Sequence, residues 1–111
     1  MITYEEPNGI VEVGVDDVRQ SIISDIPIES RLEQLAEEAS ELSKAALKVS
    51  RILRGKNPTP VPINDALNDL VEEYNDILTC GEVLGLHPDY FMIVSKLKRW
   101  KDRLQERDDF Q

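Results

Sequence analysis

The segment Leu35-Ala-Glu-Glu-Ala-Ser-Glu-Leu42 returns, lightly altered, as Leu70-Val-Glu-Glu-Tyr-Asn-Asp-Ile77. Both copies read Leu, an apolar residue, two glutamates, two variable residues, an acid, then Leu or Ile. Each copy lies inside a longer stretch rich in helix formers, with apolar residues at helical spacing. Two helices that carry the same apolar stripe beside the same acids must turn those stripes toward one interior. An antiparallel helical hairpin is the simplest arrangement that does so. A helical-repeat array is a poorer reading, because only two copies exist and the residues around them do not echo one another.

The rest of the chain punctuates this pair. Residues 1–9 include Pro7, Asn8 and Gly9 and read as an irregular arm, followed by a short extended stretch over Ile10–Val15 that Gly14 weakens. Asp16 or Asp17 can cap a short helix to about Ser24, and Pro27 breaks it. Ser30-Arg-Leu-Glu33 has the capping-box pattern for the start of the first long helix, which Gly55 ends. Lys56–Pro62 carries three prolines and reads as a stiff connection. The next helix runs from about Asn64 to Leu84 with Gly85 as terminator. Pro88 suits the first turn of a last helix reaching about Arg107. The expectation is one all-α domain over residues 1–111, with an arm and short helix over 1–29 and a helical core over 30–107.

Helical rotation sorts the acids. With Glu38 at the origin and about 100° per residue, Leu35, Leu42, Val49 and Leu53 lie at about 20–60° and Glu41 at about 300°. With Glu73 at the origin, Ala66, Leu70, Ile77 and Leu84 lie at about 20–60° and Asp76 at about 300°. Glu38 and Glu73 therefore sit on the apolar stripes, Glu41 and Asp76 on their edges, while Glu37 and Glu72 point away. A carboxylate on an apolar stripe is costly unless it is paired, protonated or bound to a cation. Neither helix places a Lys or Arg beside the acids on this face; Lys48 is the nearest, at about 280° on the first wheel and about two turns from Glu41. Four carboxylates converging would raise one another's pKa values, and a divalent cation removes the conflict. The all-oxygen ligand set Glu38, Glu41, Glu73 and Asp76 favours Mg²⁺, with Mn²⁺ as a substitute. A di-iron centre needs Glu-x-x-His on two helices, and His87, the single histidine, stands beside Pro88 as a loop or helix-start residue. The plainer alternative is that all these acids are solvated.

Lys96, Arg99, Arg103 and Arg107 are spaced three, four and four residues apart and form one basic stripe. Beside it run Tyr90, Ile93, Val94, Leu97 and Leu104, with Trp100 at the border. Lys48, Lys96, Arg99 and Arg103 are the candidate phosphate contacts, Arg107 being near the chain end. The alternative for the stripe is a solvated face with intrahelical ion pairs to Asp102 and Glu106. Thirteen Lys and Arg against twenty-two Asp and Glu give a formal charge of −9, which argues against nucleic acid or an anionic membrane as a partner. Cys80 is the one cysteine, so no intrachain disulfide forms. The start has no signal-peptide pattern and no apolar run approaches a membrane span, so a cytoplasmic protein is expected.

Glu37-Glu38-x-x-Glu41 followed by Glu73-x-x-Asp76, with Lys96-Leu-Lys-Arg99 beyond, resembles the signature of the MazG-like all-α nucleoside triphosphate pyrophosphohydrolases. The resemblance covers about residues 30–107. It implies a helical hairpin completed to a four-helix bundle by oligomerisation, as a homodimer or homotetramer. It implies Mg²⁺ held by Glu38, Glu41, Glu73 and Asp76, and cleavage of a nucleoside triphosphate to monophosphate and pyrophosphate. Glu38 would accept the proton of the attacking water, with Glu37 in support, and Lys96, Arg99 and Arg103 would hold phosphates. The Pro-rich connection is longer than in compact family members, and no base-recognition set is evident. Exposed apolar residues expected at Leu47, Leu67, Val71 and Leu78 suit oligomeric burial. The alternative function is a non-enzymatic helical interaction module or a nucleotide sensor.

Overall fold

Two long helices, α2 (Ile28–Leu53) and α3 (Ile63–Leu84), form an antiparallel hairpin that carries the main packing of the chain. They are preceded by a two-stranded antiparallel ribbon, β1 (Ile2–Glu6) and β2 (Gly9–Val13), and a short helix α1 (Val15–Asp25); helix α4 (Tyr90–Asp109) follows. The computed structural model describes residues 2–56 and 61–109. Most of the stiff connection expected over Lys56–Pro62 thus lies outside the described residues. The all-α expectation holds for the body of the chain, with the small ribbon as an addition. No described helix is long and apolar enough to cross a membrane.

The ribbon corrects the irregular arm expected over residues 1–9. Glu6 pairs with Gly9 across a two-residue turn, Pro7-Asn8, and the register continues Glu5–Ile10, Tyr4–Val11 and Thr3–Glu12. Gly9 takes φ 129°, a conformation that side chains rarely adopt, which allows the second strand to leave the turn directly. The start of α2 also differs from expectation. Pro27 occupies the N-cap position and Arg31 N–H donates to its carbonyl at 3.1 Å, so Ser30 lies inside the helix and forms no capping box. A proline with φ −57° has its conformation set for helix entry, and this outweighs the weaker side-chain cap three residues later. Pro88 likewise precedes the last helix rather than opening it. Asp89 is the cap, its Oδ1 accepting from Met92 N–H at 3.1 Å.

Both long helices stop by one device. Gly55 and Gly85 each take φ 69°. Lys56 N–H donates to the Arg51 carbonyl at 2.9 Å, and Leu86 N–H to the Gly81 carbonyl at 3.0 Å. These are the six-to-one bonds of Schellman caps, which need a left-handed residue at this position. A Cβ on Gly85 meets nothing within 4 Å, so the cost of a side chain there is conformational only. Gly85→Ala is expected to lower unfolding stability by about 1 kcal/mol. A urea titration should show a lower midpoint with an unchanged slope.

The core is small. Val49, Ala66 and Cys80 are the buried hydrophobic residues among those described, and no large side chain is fully buried. Leu35, Leu42, Ile52, Leu70, Ile77 and Leu84 complete the hairpin seam half-buried. Arg31 fastens the open end by donating from Nε to the Ile26 carbonyl at 2.9 Å and from Nη1 to the Val83 carbonyl. Helix α1 leans on α3, where Arg19 bridges Asp16 on its own helix and Glu82 on α3. Helix α4 stands away from this assembly. Every described side chain from Tyr90 to Arg107 is exposed, Phe91 at 92%. The chain extends 57 × 38 × 27 Å with a radius of gyration of 18.9 Å. A compact chain of this length would have about 13 Å.

Candidate metal centre

The hairpin brings acids from both repeated segments to one place. One carboxylate oxygen each of Glu38, Glu73 and Asp76 lie within 4.8 Å of one another, and all three residues are half-buried. This is the one such group of acidic, His or Cys ligands among the described residues. The reason lies in the register read from the wheels: when the helices pack antiparallel, the seam acids Glu38 and Glu73 meet and the α3 edge acid Asp76 joins them. Glu37 and Glu72 are exposed, as the same rotation requires.

Glu41 is placed differently from the other three. It is exposed, outside the close group, and accepts from Lys44 Nζ at 3.3 Å. That ion pair at i,i+3 on one helix is an effect the wheel did not weigh. Glu38 in turn accepts from Gln34 Nε2 at 2.9 Å, one turn earlier on α2. Gln34 was not among the expected site residues, although its i,i+4 spacing to Glu38 was the available signal. The amide holds one oxygen of Glu38 and leaves the other available.

The electrostatics follow from the crowding. Partial burial raises the pKa of Glu73 above its ordinary value, and Asp76, Glu38, Glu41 and Glu72 add to the rise. Because the folded value exceeds the unfolded one, ionising Glu73 opposes folding. The penalty grows as pH rises through the folded value and is absent below the ordinary value of 4.5. Glu73→Gln is therefore expected to raise the metal-free melting temperature at pH 7 and to give no gain at pH 4. Thermal melts in chelator at the two pH values test this. Burial also pushes the Cys80 thiol up, and Glu38 and Asp76 reinforce the shift. Cys80 beside the acids is thus a neutral packing group rather than a nucleophile.

Next to the acid group a cavity of about 370 Å³ opens between α2 and α3. Glu41, Lys44, Ala45, Lys48 and Arg51 line it from α2, and Ala66, Asp69 and Glu73 from α3. Of the four expected phosphate contacts, Lys48 lies in this cavity. Lys96, Arg99 and Arg103 lie on α4 and are solvent-exposed. In place of the intrahelical pairs considered for that stripe, Lys98 pairs with Asp102 at 3.3 Å. His87 lines a separate groove with Leu35, Tyr74 and Pro88. Comparison of the chain with protein-family models, curated proteins and solved structures gives no match.

Proposed function

We propose that this chain is a cytoplasmic, Mg²⁺-dependent nucleoside triphosphate pyrophosphohydrolase that acts as a homo-oligomer. The observation that carries the reading is the convergence of Glu38, Glu73 and Asp76 from two helices beside a cavity that also holds Lys48. Three carboxylates with no nitrogen or sulfur ligand fit a hard cation that keeps part of its water shell. Glu38, Glu73 and Asp76 would hold it, with Glu41 one turn away as the outer ligand. When bound, the ion would polarise phosphoryl oxygens and acidify a water.

The chain's own residues supply the rest. Gln34 fixes the Glu38 carboxylate, which suits it to accept a proton from the attacking water. Lys48 neutralises phosphate charge from the α2 side. Glu37, exposed behind Glu38, contributes only to the local field. Lys96, Arg99 and Arg103 reach a substrate when a second copy carries its α4 toward the acids. The small core supports assembly, since the described residues bury few hydrophobic side chains for a chain of this length.

The test is a panel of canonical and modified nucleoside triphosphates with Mg²⁺, with products identified. Nucleoside monophosphate and pyrophosphate are expected, and chelator should abolish their release. A folded protein that binds Mg²⁺ yet turns over no nucleotide would refute the enzymatic reading. The exposed apolar face of α4 favours a second reading, a helical interaction module. That module predicts no Mg²⁺-dependent rise in melting temperature, whereas a metal bound to the native state must raise it.

A further inference from the structure

Three cations on α2 face the cavity that the acids border. Lys44, Lys48 and Arg51 are four and three residues apart, which spreads them over about 10 Å along the helix. Among the described residues neither Lys48 nor Arg51 forms an ion pair, while Lys44 is held by Glu41. The Arg51 side chain is not required for the helix end, because its carbonyl is already capped by Lys56 N–H. The far end of the cavity meets the first turn of α3 at Ala66, where the helix dipole favours an anion.

The charges lining the cavity balance. Glu41, Asp69 and Glu73 oppose Lys44, Lys48 and Arg51. A bare anion entering it gains from the cations and loses to the acids. An anion that brings a divalent cation is matched at both ends, with the metal toward Glu73 and the negative groups toward Lys48 and Arg51. The 10 Å spread of cations suits a chain of phosphates rather than a single one.

We infer that this cavity is the polyphosphate seat, that Lys48 and Arg51 hold the phosphates, and that the anion binds there only together with a divalent metal. The inference rests on the metal centre proposed above. It assigns the phosphate chain to α2 of the same copy and gives Arg51 a role that the sequence pattern did not suggest. Coupling of the two ligands is reciprocal, so pyrophosphate must tighten Mg²⁺ binding as Mg²⁺ tightens pyrophosphate binding.

The probe is inorganic pyrophosphate, titrated calorimetrically into the full chain with Mg²⁺ or with chelator. Wild-type protein should bind it with Mg²⁺ and at least tenfold more weakly with chelator. Lys48→Ala/Arg51→Ala should weaken the Mg²⁺-dependent binding at least tenfold while keeping the Mg²⁺-induced rise in melting temperature, which also reports that the variant folds. Lys48→Arg should retain most of the affinity. Absence of any Mg²⁺-dependent stabilisation in wild-type protein sinks the metal centre itself. Mg²⁺ stabilisation without pyrophosphate binding, binding equally strong in chelator, or a loss below tenfold in the double variant sinks the inference alone.

Discussion

Glu38→Gln is expected to cut Mg²⁺-dependent pyrophosphate release by at least about 10²-fold and to leave the metal-free protein folded. The side chain is half-buried on the α2 seam, with its oxygen in the three-acid group and its carboxylate held by Gln34. The amide keeps the shape and removes the charge. In the metal-free protein that charge is a burden, since it helps to raise both Glu73 and Cys80. The variant should therefore melt no lower than wild type in chelator, and should lose most of the Mg²⁺-induced rise. Glu37→Gln is the matched control on the same helix. Its side chain is exposed, and its loss should change turnover by a few-fold at most. Equal losses at the two positions would mean that general acidity of α2, not the three-acid group, sets the activity.

The contrast between Glu37 and Glu38 was legible in the sequence because helical rotation is a local property. Nothing beyond about 100° per residue was needed to place Glu38, Glu73 and Asp76 inward and Glu37 and Glu72 outward. The glycine ends of both helices were legible for a similar reason, since a left-handed cap strongly selects Gly. The N-terminal ribbon was missed because its strands are short and its turn, Pro7-Asn8 before Gly9, resembles loop composition. The start of α2 was missed because two start signals compete within four residues, and the proline prevails over the serine. The place of Glu41 and of the α4 cations was not legible at all. A wheel says which way a side chain points on its own helix, not which neighbour lies there. Lys44 draws Glu41 aside by a pair on the same helix, and α4 leaves the hairpin after the Schellman cap at Gly85.

The uncovered faces lead to the other large expected effect. On α3, Leu67, Val71, Tyr74 and Leu78 fall within an arc of about 60°. They are 41–60% exposed. Leu32 on α2 and Leu97 on α4 are also exposed, at 49% and 56%. Completing the burial of a half-exposed Leu or Val contributes about 1 kcal/mol. Such a face repeated on two copies would supply apolar contact that the small core formed by the described residues lacks. Wild-type protein should sediment at no less than twice the chain mass of 12.7 kDa, with a melting temperature that rises with concentration. Val71→Glu/Leu78→Glu places two carboxylates per copy in that expected contact, where burying them without a counter-charge is costly. The variant should sediment at the single-chain mass and melt well below wild type, while Lys98→Ala on the exposed side of α4 should change neither property. Wild-type protein that remains a 12.7 kDa monomer at high concentration would leave these apolar faces without a second copy to cover them, and would remove the proposed route by which Lys96 and Arg99 approach the acids.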